Sequence, residues 1–138
     1  MLLEARRYRN VEIRLESPRT MLCRGSPDKL KQVFLNLGLN ALDACSLNLK
    51  IGHVGIRAHP ATGQADGRGG VLVEVIDDGC GVSRENLARV FSPFFTTKPR
   101  GVGMGLAIAR KIVQAHGGDI TMSSTEDQGT SVRVWLPS

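Results

Sequence analysis

The chain has 138 residues, 41% of them hydrophobic and 22% charged, with a formal net charge of +5. This is one domain's worth of ordinary globular material, which excludes a disordered or fibrous chain. The basic residues are dispersed and aromatics reach only 4%, which argues against a nucleic-acid surface.

Residues 1–10 are mixed and basic and read as the remnant of a linker to something longer. From Val11 to Glu16 apolar and polar residues alternate with period two, the pattern of a strand with one buried face. Ser17-Pro18-Arg19 ends that strand, and Met21-Leu22-Cys23 reads as a short partner strand. Ser26-Pro27-Asp28 then starts a helix: the serine caps free N–H groups, the proline suits the first helical position, and the aspartate complements the dipole. The helix is expected to run to about Cys45, with Leu30, Val33, Phe34, Leu37, Ala41 and Ala44 on one apolar face. Gln32, Asn36, Asn40 and Asp43 form a narrow polar stripe on the same helix, bordered by Leu35 and Leu39.

Residues Ile51 to His59 are expected as a strand and Pro60 to Gly70 as an exposed hairpin loop. Val71 to Asp77 has the strongest strand composition in the chain, and it runs into the turn Asp77-Asp78-Gly79-Cys80-Gly81. Ser83 caps a short helix that includes Asn86, Leu87 and Val90. The stretch from Phe91 through Thr96, Thr97 and Lys98 to Gly101, Gly103 and Gly105 is apolar, then cationic, then glycine-rich. A helix follows, with Leu106, Ala109, Ile112 and Val113 at helical spacing, Gly117-Gly118 as its stop and His116 as a C-terminal residue favourable to the dipole. Asp119 to Ser124 and Thr130 to Leu136 are two strands joined at Asp127-Gln128-Gly129.

The order of elements predicts an α+β domain: a two-layer α/β sandwich whose mixed sheet is covered on one face by about three helices, with the other face partly exposed. Cys23, Cys45 and Cys80 are odd in number and form no C-x-x-C pair, so no disulfide framework or zinc site is expected, and a reducing cytoplasmic setting fits. No apolar run approaches the roughly 20 residues of a membrane span, so no direct membrane contact is expected of this chain, whatever anchor a parent carries.

Alternate glycines before a helix suit an anion, because backbone N–H groups approach it closely and the helix adds partial positive charge. Neither common phosphate loop is present: Leu106 stands where a dinucleotide fingerprint needs its third glycine, and no G-K-[ST] occurs. Other segments complete a different kind of nucleotide site. Asp77 can accept a hydrogen bond from an exocyclic amine, Gly79 and Gly81 let a base approach the backbone, and Asn40 can offer an amide oxygen to Mg²⁺.

Together these segments resemble the ATP-binding catalytic domain of bacterial sensor histidine kinases, in the superfamily that also holds gyrase-type and mismatch-repair ATPases. The N box is similar to Gln32 through Ala41, the G1 box to Asp77 through Gly81, the F box to Phe91 through Phe95, and the G2 box to Gly101 through Leu106. Gly129-Thr130 matches the last glycine motif. The short interval between Phe95 and Gly101 resembles the short-lid kinases of the nitrogen-regulation and oxygen-sensing types.

The resemblance implies that residues 11–138 form the catalytic domain. Asp77 would recognise adenine and Thr130 would support it. Asn40 would bind Mg²⁺, with Asn36 near the phosphates and Lys98 reaching them. Phe91, Thr96, Thr97, Gly79, Gly81, Gly101, Gly103, Gly105 and Leu106 would line the ATP site. It further implies an ATP- and Mg²⁺-dependent phosphotransferase, monomeric when isolated. Its partners would be the phosphoacceptor histidine domain of the same parent and, through that domain, a response regulator. Cys80, beside these glycines, is a candidate for modification that blocks the nucleotide.

In gyrase-type ATPases and the related serine kinases, a glutamate general base stands where this chain has Asn36. An amide has no usable pKa for that work, whereas a neutral imidazole is already a nucleophile. Asn36 therefore favours a histidine kinase over an ATPase or serine kinase. A degenerate module used only for protein interaction is the third reading. None of His53, His59 or His116 is followed by Glu or Asp, as the family's acceptor histidines are, so the acceptor is expected on a separate domain.

Overall fold

The computed structural model describes residues 11–17, 23–46, 52–63, 67–92 and 105–138. Its strands are β1 (Val11–Glu16), β2 (Gly52–Thr62), β3 (Gly69–Asp77), β4 (Asp119–Thr125) and β5 (Gly129–Pro137), and its helices are α1 (Pro27–Ser46), α2 (Arg84–Leu87) and α3 (Gly105–Ala115). The strands form one sheet in the order β1-β2-β3-β5-β4. Among the described residues only the β1–β2 pair is parallel. This is the expected mixed-sheet α+β sandwich.

Register sorts the side chains into rows that cross the sheet. One helix-facing row runs Leu15, Ile56, Val75, Val132, Met122, and the next runs Ile13, Val54, Asp77, Thr130, Ser124. The first is wholly apolar, and the second turns polar at Asp77. Against these rows α1 places Val33, Leu37, Ala41 and Cys45 while α3 places Ala109 and Val113, all buried with Val54, Val75, Val132, Val134 and Leu136 in one core. The outer face carries Glu74, which is held below the usual carboxylate range by a hydrogen bond from His59 at 3.0 Å, outweighing its partial burial, with Arg133 at 3.5 Å adding to the effect.

The helix starts follow the sequence chemistry. Ser26 accepts from Lys29 N–H at 3.4 Å and opens α1, and Ser83 accepts from Asn86 N–H at 3.2 Å and opens α2. At the end of α3, Gly118 N–H returns to the Val113 carbonyl at 2.9 Å.

Some expectations need correction. The strand β2 continues through Pro60 to Thr62, so the hairpin loop is shorter than Pro60–Gly70. Proline is tolerated there because, among the described residues, β1 pairs with Gly52–Arg57 and leaves β2 a single neighbour beyond it. His116 stands at the end of α3 as expected and makes a tertiary contact there: its Nδ1 faces the Ile112 carbonyl at 2.7 Å and its Nε2 accepts the Ser26 N–H at 3.0 Å. This ring ties the end of α3 to the start of α1. The apolar side of β1 is not buried, because that strand lies at the sheet's edge, and Ile13 and Leu15 are 56% and 72% exposed. Of the expected strand at Met21–Cys23, residues 21 and 22 lie outside the described residues, and Cys23 is not in a strand. Among the described residues no helix is long and apolar enough to cross a membrane.

The contrast between core and edge gives a stability prediction. Leu37→Ala, at a side chain only 2% exposed, is expected to cost about 2–5 kcal/mol in urea unfolding. Leu15→Ala is expected to cost less than about 0.5 kcal/mol.

Candidate functional site

The site forms where β3 ends under α1. Burial pushes the Asp77 carboxyl up to about 6, against the pull of hydrogen bonds from the backbone N–H groups of Gly79 and Thr130. The Gly79 N–H lies 2.9 Å from Asp77 Oδ1. The carboxylate is thus held by backbone on both sides while α1 covers it.

That closeness explains the glycines of the turn. A Cβ on Gly79 would stand 2.5 Å from the Ala44 carbonyl carbon of α1, and Cys80 N–H already reaches the Ala44 oxygen at 3.3 Å. Gly81 has φ +68°, and a Cβ there would fall on the Thr125 carbonyl oxygen. The turn is therefore wedged between α1 and the β4–β5 hairpin.

Asp78 holds the same turn from the other side. Its Oδ1 accepts the His53 N–H at 2.7 Å and its Oδ2 lies 2.7 Å from His53 Nδ1. Burial raises Asp78, but the two His53 contacts and the Cys45 thiol at 3.5 Å overcome that and keep it below the usual range. Two adjacent aspartates are thus driven in opposite directions. Asp78 has its partners and Asp77 is left poised, an environment common at functional positions.

Cys45 and Cys80 feel the same carboxylate. Burial first, then Asp77, pushes the Cys45 thiol up to about 12, and the same causes raise Cys80. Both therefore stay as thiols at neutral pH, which works against ready modification of Cys80.

Of the polar stripe of α1, Asn36 reaches the start of α3. Asn36 and Asn40 are half-buried one turn apart, while Gln32 is exposed. Asn36 Nδ2 donates to the Gly105 carbonyl at 3.4 Å, the first residue of α3. Leu106 packs against the core, as does Phe91, over whose ring the Arg110 guanidinium sits at 5.5 Å.

The structure thus brings Asp77, Gly79, Gly81 and Thr130 together and places Asn36 against Gly105. Thr96, Thr97, Lys98, Gly101 and Gly103 lie outside the described residues. Three contributors were not foreseen: Asp78 and His53, which pin the turn, and Ser124, which accepts the Val82 N–H at 2.8 Å and lies 2.8 Å from Thr130 Oγ1. The signal for Ser124 was present, since alternation from Ile120 puts a hydroxyl on the inward face of β4 beside Thr130.

The chain is similar to known proteins in sequence and in fold. Residues 25–138 match the family described as histidine kinase-, DNA gyrase B-, and HSP90-like ATPase. The chain is 38% identical over 130 residues to the sensor histidine kinase ZraS of Escherichia coli (strain K12), covering 94% of this chain and 26% of that protein. It therefore spans about a quarter of the length of that curated relative. Among solved structures, the nucleotide-free catalytic domain of histidine kinase ThkA superposes with a TM-score of 0.78 at 31% identity, covering 99% of this chain and 84% of that one. Full-length ShkA in complex with AMPPNP superposes with a TM-score of 0.77 at 27% identity, covering 99% of this chain and 28% of that one.

The raised Asp77 carboxyl has a sign that can be tested without ligand. Its folded value of about 6 lies above the ordinary value of about 3.9, so its contribution to stability is full below pH ~4 and is lost as pH rises through about 6. Asp77→Asn removes the cost of ionisation. The nucleotide-free variant is expected to exceed the parent in stability at pH 8, by on the order of 2–3 kcal/mol, and to match it at pH 4, as read by thermal melts.

Proposed function

Because the chain belongs to the histidine kinase-, DNA gyrase B-, and HSP90-like ATPase family, we propose that it is the ATP-binding catalytic domain of a sensor histidine kinase. In this reading it binds Mg-ATP and passes the γ-phosphoryl group to a histidine on a separate domain of the same parent, from which a response regulator takes it. The carrying observation is Asn36, an amide one turn before Asn40 and against the start of α3. No proton acceptor for water or a serine hydroxyl stands at that position, whereas an imidazole nitrogen needs none.

Asp77, ionised at neutral pH, accepts the adenine amine, and the Gly79 N–H holds the carboxylate in place. Gly105 and Leu106 open α3, and Asn36 holds that helix start by its amide. Lys98, Thr96, Thr97, Gly101 and Gly103 are assigned to the phosphate end by their motif positions. Phe91 anchors the approach to that segment.

The donor set suits Mg²⁺. Among the described residues no group of three or more His, Cys, Asp or Glu can hold a metal, and Mg²⁺ needs only one or two protein oxygens when phosphates and water supply the rest. Asn40 is the residue that would hold it, and the ion would neutralise phosphate charge during in-line transfer. Free thiols at Cys23, Cys45 and Cys80 and the need for ATP fit a cytoplasmic location.

Calorimetry with Mg-ATP, followed by a supplied phosphoacceptor helical domain, tests the proposal. Binding and an acid-labile phosphate on the acceptor are expected; ATP-bound chain that leaves the acceptor unlabelled would refute it. Steady ATP turnover by the chain alone, lost in Asn36→Ala, would instead indicate an ATPase. Asp77→Asn is expected to weaken ATP about 10–150-fold, as befits one hydrogen bond to a charged group. Asn40→Ala is expected to abolish the gain in affinity that Mg²⁺ brings, read by titrations with and without the ion.

A further inference from the structure

Ser124 makes three polar contacts, and their chemistry leaves its proton only one arrangement. Its Oγ accepts the Val82 N–H at 2.8 Å, donates to the Gly129 carbonyl at 2.9 Å, and stands 2.8 Å from Thr130 Oγ1. A hydroxyl has one proton and two acceptor sites. An N–H only donates and a carbonyl only accepts, so Ser124's proton goes to Gly129 and one acceptor site goes to Val82. The remaining site must receive the proton of Thr130. Turning Ser124's proton toward Thr130 would instead leave two oxygen lone pairs facing each other at 2.9 Å.

Thr130 is thereby stripped of its donor. Its register partner on one side is Ser124 and on the other Asp77, and all three side chains lie on the helix-facing side of the sheet. The Thr130 backbone N–H also bonds the Asp77 carboxylate. Toward the space above Asp77 the Thr130 oxygen offers lone pairs only, as the carboxylate does.

We propose that Ser124 is a positioning residue for base selection: by taking the Thr130 proton it makes the Asp77–Thr130 edge acceptor-only, so that a 6-amino purine fits and a 6-oxo purine is refused. A 6-amino group brings donors to these oxygens. A 6-oxo group brings another acceptor to the oxygens that the amine would meet, and the donor that remains is the neighbouring ring N1–H, displaced from where the amine stood, a mismatch that discriminates in a desolvated site. This inference rests on the ATP-binding reading above and concerns a residue that touches no substrate atom itself.

ATP and inosine triphosphate, which differ in the 6-substituent and in the proton that N1 carries in inosine, separate the proposal from a merely structural role for Ser124. The chain is expected to prefer ATP. Ser124→Ala frees the Thr130 proton to meet a 6-oxo oxygen and is expected to narrow the ATP-to-ITP affinity ratio about tenfold. Ser124→Thr keeps the hydroxyl and is expected to restore the ratio. Thr130→Val, which leaves the Val82 and Gly129 bonds in place, is expected to narrow the ratio as well and serves as the test if Ser124→Ala fails to fold. Equal weakening of both nucleotides by Ser124→Ala, or an unchanged ratio in Thr130→Val, would overturn the inference while ATP binding by the parent chain stands. Failure of the parent chain to bind ATP at all would instead remove the reading beneath it.

Discussion

Asp77 places a carboxylate in a sheet row that continues an apolar core, and the surrounding structure accommodates that charge. A buried ion is costly unless its lone pairs are met. Here the Gly79 and Thr130 backbone N–H groups meet them in part, while burial still leaves the group near 6. The turn can bring its N–H groups so close only because Gly79 carries no side chain against Ala44. The same contact holds the turn to α1, the helix that carries Asn36 and Asn40. Base-binding and metal-binding ends of the proposed site are therefore linked through one helix rather than through a flexible loop.

The second half of the arrangement is a set of ties at element ends. Asp78 fastens the turn to the start of β2 through His53, Ser124 fastens the following segment to β4, and His116 joins the end of α3 to the start of α1. Asn36 meets α3 at its other end. Each is a polar bond placed where regular backbone pairing stops, so each positions an element without adding to the apolar core. The ends of α1 and α3 that bear on the site are thereby set against the sheet in angle and register.

Much of the fold was legible because local chemistry and periodicity agreed. Ser26-Pro27-Asp28 and Ser83 started helices as their capping chemistry requires, and alternation in β1, β4 and β5 and strand composition in β3 named real strands. The misreadings occurred where a neighbour decided the outcome. The stretch from Pro60 reads as a loop because it is rich in Gly, Asp and Gln, yet β2 continues through it, with one strand beside it beyond Arg57 among the described residues. Ile13 and Leu15 alternate as residues of a buried face do, yet alternation shows which face a side chain takes and not whether anything covers that face.

For the site, the sequence by itself determined the residue types and their order: an aspartate before glycines at a strand end, amides one helical turn apart, a threonine after the last glycine. Those features sit within short stretches, where spacing and side-chain chemistry suffice to read them. Only the tertiary structure decided that Asp77, Thr130 and Ser124, from three strands, share one row, that Asp78 and not Asp77 is bonded to His53, and that Ser124 links Val82, Gly129 and Thr130. Those outcomes depend on strand register and burial, which are properties of paired segments far apart in the chain and are not encoded in any one of them.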